Sequence, residues 1–326
     1  MLTFKDVKNQ SLTVYKQFGE SKWKPFALLN SHLPRLPKDH FKNIGIGKFL
    51  VLCAMGESLE MAIPYLQVYR DRVDILTCDK GFGYLIDNGI MPDYVVICDT
   101  NIPFVWVEKY LEYSKDVVLL CTPYANIEWT HTWKGQRYFY INRDAIESEK
   151  VFQDIFKDNM RLIPAGSNVS NAMFVLMTGL DETNRVNYTG YEKFLFTGYD
   201  YSWRPDGKYY AGNNPMPKRF YMHHHTLLDI NNDVVFTSSN LMFSAKWMTQ
   251  YFNTFKPNAV NCSDRGLLAV NRARIEDELK RIPFMNGKNM VVKNAYNELV
   301  NTALQFDKQR QGFEKLKKEV LYGCRV

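Results

Sequence analysis

Two acidic residues follow two apolar runs of the sequence, 20 residues apart. Asp79 comes directly after the run VDILTC, and Asp99 directly after the run YVVIC. A buried strand has no need of an acid at its end, whereas a ligand held beyond the strand ends would explain one. In open parallel sheets, ligands bind in the crevice outside the carboxyl ends of the strands. The spacing therefore predicts that Asp79 and Asp99 share one binding site.

Small and polar residues follow other predicted strands in the same way. An isolated acid at a strand end is often only a helix cap, but here several such positions recur. A helix that begins with small residues offers free backbone N–H groups to an anion, so a phosphate-tolerant site is expected. The residues predicted to line this site are Gly56, Glu57, Ser58, Asp79, Asn101, Gly166, Ser167 and Gly198.

The elements that position these residues alternate between short apolar runs and stretches with helical spacing. From Lys48 onward this alternation predicts parallel strands joined by helical crossovers. Nearly continuous apolar strands are typical of a sheet covered on both faces. The predicted fold class is α/β, with a Rossmann-like, mainly parallel sheet, helices on both faces and a helical C-terminal cap. The predicted units are a lead-in segment (1–47), a Rossmann-like domain (48–270) and the cap (271–326).

Composition narrows the range of functions. The chain has 326 residues, 46% of them hydrophobic, and a formal net charge of +6. This charge is modest and does not by itself predict binding to nucleic acid. GESL after the first strand is neither a P-loop nor a GxGxxG fingerprint, so neither a Walker-type NTPase nor an ordinary dinucleotide dehydrogenase is indicated. The 20 tyrosines and 21 phenylalanines favour flat ligands only weakly, because aromatic residues also fill cores.

Cysteine usage and hydropathy point to a cytoplasmic protein. None of the six cysteines forms a CxxC pair, and most interrupt apolar runs, so we expect them to be reduced. The N-terminus is polar and no run approaches 18 apolar residues, which predicts neither a signal peptide nor a membrane span. Residues 307–326 carry six basic residues against three acids. We interpret this tail as a solvated helix face, with weak contact to an anionic surface as the alternative.

One long stretch without periodicity follows a predicted site residue. Residues 202–222 contain three prolines and two glycines, and we predict a mobile lid over the ligand. The run His223-His224-His225 comes directly after it. Adjacent side chains on an extended chain point to opposite sides, so we do not expect these three histidines to hold a metal together.

Several of these motifs resemble the flagellin-modifying Maf proteins and their relatives. GESLE is similar to that family's GPSL(E/D) motif, with Glu57 in the place of the usual proline. CDKGFGYLIDNGIMPDYVVICD resembles its block with an acid, a helix and a G-I-x-P-D strand. AGSNVSNAMFVLMTGL, LFTGYDYSW and NCSDRGL resemble three later motifs, so the similarity covers roughly residues 45–270.

The resemblance implies a nucleotide-dependent transferase, with residues 48–270 as its nucleotide-binding domain. The strand-end and helix-start residues predicted above to line the site would then bind the nucleotide. The first expectation is a glycosyltransferase that uses a CMP-activated nonulosonic (sialic-acid-like) sugar, with a glycan or protein acceptor, no cofactor and no nucleic acid. The implied catalytic residues are Asp99, Asp200, Tyr209, Tyr210 and His225. Related sialyltransferases use a histidine base before a late helix, where this chain has Thr237. The base would then be Asp99 or a residue of His223–His225.

Two alternatives stay open at this point. The resemblance also extends to archaeal 6-hydroxymethylpterin diphosphokinase, which implies magnesium-dependent pyrophosphate transfer from ATP, with Asp99 and Asp200 as magnesium ligands. The second alternative is an inactive binding or accessory protein that keeps the fold, since a threonine is not a general base near neutral pH.

Overall fold

A computed structural model describes residues 20–143, 146–157, 160–166, 168–180, 185–205, 208–212 and 224–282. The strands are β1 (Phe49–Cys53), β2 (Val73–Cys78), β3 (Tyr94–Ile97), β4 (Val118–Cys121), β5 (Arg137–Asn142), β6 (Arg161–Ile163), β7 (Lys193–Thr197), β8 (His225–Leu228), β9 (Val234–Thr237) and β10 (Ala259–Asn261). The α-helices are α1 (Glu20–Asn30), α2 (Leu59–Tyr69), α3 (Asp79–Asp87), α4 (Ile127–Thr132), α5 (Ile146–Phe156), α6 (Val169–Thr178), α7 (Ser239–Phe255) and α8 (Ile275–Lys280).

Eight strands form one sheet in the order β10-β7-β1-β2-β3-β4-β5-β6, and every neighbouring pair is parallel. The chain builds outward from β1 through β6 on one side and then returns to place β7 on the other side of β1. The order therefore reverses between β1 and β7. In sheets of this kind the crevice at such a reversal is the usual ligand site. The predicted α/β class and parallel sheet are confirmed.

The core lies in two layers, one on each face of the sheet. Val95 and Ile97 of β3 pack on one face together with Trp129 and Phe152. Val96, the residue between them, packs on the other face with α2, α6 and α7. This alternation follows from the two-residue period of a strand, and apolar residues on both faces need helical cover on both faces.

One local stretch differs from its sequence pattern, and three short features were not predicted. The spacing of IPFVWVEKYLEY predicts a helix, but this stretch forms two 3-10 segments, Phe104–Trp106 and Glu108–Asp116. Consecutive β-branched and aromatic residues, from Phe104 to Val107, have low helix propensity and disfavour a regular α-helix there. The short elements α4 and β6 and the antiparallel hairpin β8–β9 were not predicted, since runs of three to six residues carry little periodicity.

The described helices before β1 and after β10 pack on helices that lie beside the sheet. Helix α1, in the predicted lead-in segment, packs on α4 and α5, and α8 packs on α2. In the described ranges no helix combines the length and apolar character that a membrane span requires. Residues 283–326 lie outside the described residues, and with them most of the predicted C-terminal cap and the basic tail.

We expect all six cysteine thiols to be reduced in the native protein. Cys53, Cys78, Cys98, Cys121 and Cys262 are free thiols, and burial raises the pKa of each of them. A buried thiol with a raised pKa forms little of the thiolate that disulfide exchange needs. Mass spectrometry after alkylation in denaturant, without reductant, should find every cysteine modified, Cys324 included. An intact intramolecular disulfide in that sample would refute the prediction.

Candidate active site

A cavity of about 570 Å³ lies at the carboxyl ends of the central strands. This is within the usual range of small-molecule sites. Segments that follow β1, β2, β3 and β7 line it, together with the first turns of α6 and α7. Seven of the residues that the sequence predicts for the site line this cavity: Gly56, Asp79, Asp99, Asn101, Gly198, Tyr209 and Tyr210.

The two strand-end acids that suggested a site lie in this cavity. Asp79 is the first residue of α3, and its carboxylate accepts a hydrogen bond from the backbone N–H of Lys80 (2.7 Å). The Asp99 side chain is open to the cavity, and no described residue donates a hydrogen bond to its carboxylate. Burial, and then the charge of Asp79, raises the pKa of Asp99 to about 6, and burial also raises the pKa of Asp79. The two carboxylates are thus close enough to affect each other.

The loops after β1 and β7 cross at the reversal of strand order, and glycines make the crossing possible. The Gly56 N–H donates to the carbonyl oxygen of Gly198 (2.9 Å). A Cβ atom on Gly198 would lie 2.1 Å from the carbonyl oxygen of Ala54, and Gly198 has a φ of +75°. Only glycine meets both requirements without strain. These two glycines therefore form the floor of the cavity where β1 and β7 meet.

Asp200 lies below this crossing, outside the cavity. Its side chain is 1% exposed and accepts hydrogen bonds from the backbone N–H of Ser58 (2.9 Å) and from the Ser58 hydroxyl. Burial raises the pKa of Asp200 to about 7. Asp200 and Ser58 therefore join the two loops across 142 residues of sequence. Of the three acids expected at the site from spacing or from the resemblance, the structure places Asp79 and Asp99 in the cavity and Asp200 beside it.

Glu57 also lies outside the cavity, in an ion-pair cluster. Its two carboxylate oxygens contact Arg204 (2.8 Å) and Arg265 (3.0 Å). Nearby, Lys208 pairs with Glu60 of α2 (3.0 Å), and the Gly212 N–H donates to the same carboxylate (2.7 Å). These contacts hold the segment that contains Tyr209 and Tyr210 against α2.

The helix start that was predicted to bind an anion is the first turn of α6, and it lies at the cavity. Asn168 caps this helix by accepting a hydrogen bond from the Ser170 N–H (2.8 Å), and both residues line the cavity. Gly166 has a φ of +53° and packs against Trp247, away from the lining. Ser167 lies outside the described residues.

Tyr209 and Tyr210 line the cavity in the segment predicted as a lid. Their rings are perpendicular, 4.5 Å apart, and Tyr209 also packs on Trp203. Residues 206–207 and 213–222 of the predicted lid, and the adjoining His223, lie outside the described residues. Lid motion stays a prediction.

The two candidate histidines that the structure describes, His224 and His225, are not in the lining. His225 is exposed on β8, and its Nε2 lies 2.8 Å from the Ser239 hydroxyl. The His224 ring packs on Phe236 at 4.1 Å. Thr237, at the position of the sialyltransferase histidine, is buried and donates its hydroxyl hydrogen to the carbonyl oxygen of Tyr201 (2.7 Å). Among the candidate bases in the described residues, Asp99 is the one that lines the cavity.

The sequence model of one protein family matches most of the region that builds this cavity. It is described as 6-hydroxymethylpterin diphosphokinase MptE-like, and it matches residues 27–205, more than half of the chain. The chain belongs to the MptE-like family. No curated protein sequence is significantly similar to the chain.

A solved structure resembles this MptE-like chain in fold. It is the Maf glycosyltransferase of Magnetospirillum magneticum AMB-1, with a TM-score of 0.57 and 14% sequence identity. The similarity covers 86% of this chain but only 42% of the Maf protein. At this identity the likeness shows a shared fold. Together, the family match and this neighbour support the expected Maf/MptE-like relationship.

Sequence reasoning missed several residues of the cavity in this MptE-like chain. Trp23 of α1 lies before the matched segment and stacks on Tyr124 with ring centroids 4.4 Å apart. Lys80 and Trp106 also line the cavity. The signal for Lys80 was its position directly after Asp79. Nothing local to Trp23 or Trp106 indicated a contact with residues so distant in sequence.

Proposed function

We propose that this chain transfers an activated group from a nucleotide phosphate to an acceptor hydroxyl in the cavity between the ends of β1, β2, β3 and β7. The observation that carries the proposal is the Asp99 carboxylate, which is accessible, has no described hydrogen-bond donor and faces a ligand-sized cavity at the reversal of strand order. The family description and the name of the structural neighbour are both those of transferases, which supports the reaction class.

The donor in this proposal is a CMP-linked, sialic-acid-like sugar. Asp99 accepts the proton of the acceptor hydroxyl as its oxygen bonds to the anomeric carbon, and the bond from that carbon to the phosphate oxygen breaks. The phosphate leaves as an anion, and hydroxyl hydrogens of Tyr209 and Tyr210 stabilise it. A pKa of about 6 suits Asp99 to this role, because the group is mostly ionised at pH 7 yet more basic than an ordinary aspartate.

A second candidate is diphosphokinase chemistry on a pterin-like alcohol. The observation that favours it is the presence of two mutually interacting carboxylates, Asp79 and Asp99, in one cavity. Mg²⁺ is commonly held by one or two carboxylates together with substrate phosphates, so this pair fits the ion. When bound, Mg²⁺ would neutralise charge on the phosphate oxygens. Asp200, the other predicted magnesium ligand, already accepts a hydrogen bond from the backbone N–H of Ser58. Across the described ranges no group of three acidic, histidine or cysteine side chains is arranged to hold a metal.

The two candidates are separated by a thermal-shift panel of CMP, CTP, UDP, GDP and ATP, each with magnesium and with EDTA. A nucleotide at 100 times its dissociation constant should add about 2.7 kcal/mol to the stability. We expect CMP to raise the Tm equally with magnesium and with EDTA. A Tm increase with ATP that requires magnesium would support the diphosphokinase candidate instead. If no nucleotide raises the Tm, the transferase proposal is contradicted and a non-catalytic binding protein is the better account.

A further inference from the structure

One cation of the cavity lies between two aromatic rings. The ammonium nitrogen of Lys80 is 4.3 Å from the ring centroid of Trp106 and 3.6 Å from that of Tyr210. Both distances are within the range of cation–π interactions. Trp106 belongs to the 3-10 segment after β3, and Tyr210 to the segment after β7. The rings thus hold the ammonium group inside the cavity, between two of the segments that line it.

Lys80 differs from the neighbouring cations in its partners. Arg204 and Arg265 are paired with Glu57, and Lys208 with Glu60. No carboxylate of a described residue lies within 4.0 Å of the Lys80 nitrogen. Among the described lining residues, Lys80 is also the one basic side chain, beside the two acids Asp79 and Asp99.

An ammonium group in this position lacks its best partner. Burial lowers the pKa of Lys80, because the cavity removes water from the charged form, and the negative charge of Asp79 offsets this effect only in part. An anionic ligand would restore the missing charge pairing. Any further anionic group of the ligand would be repelled by the two carboxylates of the cavity, Asp79 and Asp99.

We infer that Lys80 binds the single phosphate group of the donor nucleotide, and that the cavity selects donors linked through one phosphate over nucleoside di- and triphosphates. This inference rests on the proposed function and adds the residue that recognises the leaving group. One ammonium matches one phosphodiester charge. Each further phosphate charge would face Asp79 and Asp99 without a described cation to pair with it.

The test is calorimetric titration of the full chain with CMP, CTP and cytidine in EDTA, for wild type, Lys80→Met and Lys48→Met. Methionine keeps the length and apolar stem of lysine without its charge. Lys48 precedes β1, at the opposite edge of the sheet, so it is the matched control. We expect Lys80→Met to lose roughly 10- to 150-fold in CMP affinity, the equivalent of one hydrogen bond to a charged group. Cytidine affinity should be unchanged, and Lys48→Met should behave as wild type.

The cytidine titration also shows whether the Lys80→Met cavity is still formed, since cytidine needs the cavity but not the ammonium group. If that variant does not fold, the salt dependence of CMP binding by wild type tests the same point: CMP affinity should fall with added salt and cytidine affinity should not. A Lys80→Met variant that keeps the wild-type preference for CMP over cytidine would overturn the inference and leave the proposed function standing. So would wild-type binding of CTP tighter than CMP in EDTA. Wild type that binds no nucleotide would overturn both.

Discussion

Asp99→Asn should lower turnover by about 10²- to 10⁴-fold while CMP binding stays measurable. The amide keeps the shape of the side chain but is no longer a base for the acceptor hydroxyl. It still offers one acceptor oxygen, so the loss of a hydrogen bond to a charged group should cost CMP binding at most about 1.5–3 kcal/mol. If the diphosphokinase candidate is correct, the same substitution should also remove the magnesium dependence of ATP binding. The measurements are turnover and calorimetric titration of both nucleotides.

The pH dependence of turnover tests the role of Asp99 as a base in a second way. As a base, Asp99 works only when deprotonated, so wild-type turnover should rise as the pH increases through about 6. The variant should lack this rise. Asp71→Asn is the matched control, because Asp71 is exposed and precedes β2, at the opposite edge of the sheet. Equal losses of turnover in both variants, or an unchanged pH profile in Asp99→Asn, would remove Asp99 from the mechanism.

Gly198→Ala should destabilise the protein by about 3 kcal/mol or more, because two costs add at this position. The φ of +75° disfavours any residue with a Cβ atom. The new methyl group would also lie 2.1 Å from the Ala54 carbonyl oxygen, which is held by the sheet and cannot move away cheaply. The measurement is the free energy of unfolding from urea titration.

Gly47→Ala is the control for Gly198→Ala. Gly47 has nearly the same φ, +77°, but nothing lies within 4 Å of an added Cβ atom. Only the backbone cost applies there, about 1–2 kcal/mol. The difference between the two variants therefore measures how tightly the loops after β1 and β7 are packed. If both variants lose the same stability, the close crossing that forms the floor of the cavity does not exist in solution.

The central part of the fold and half of the site follow from short-range patterns. The apolar runs that end in Asp79 and Asp99 have the length and spacing of buried parallel strands, and a parallel sheet brings strand ends to one edge. Asp79, Asp99 and Asn101 were therefore predictable as lining residues. Gly56 and Gly198 were predictable as turn residues, although not as partners of each other.

The remaining site residues depend on contacts that no local pattern encodes. Asp200 follows a strand just as Asp99 does, but its hydrogen bonds to Ser58 arise only because β7 lies beside β1. That placement is a property of the topology. Lys80, Trp106 and Tyr210 meet from three separate segments, and each residue alone is typical of an exposed face or of the core. Trp23 precedes the first strand, in a segment whose sequence shows no regular pattern.

Nucleotide binding in the cavity between the ends of β1, β2, β3 and β7 is the step on which the proposed transfer depends. It can be measured by calorimetric titration of the wild-type chain with CMP and with ATP, each with magnesium and with EDTA. We expect CMP binding that does not depend on magnesium and that weakens in Lys80→Met. Binding of neither nucleotide under any of the four conditions would contradict it.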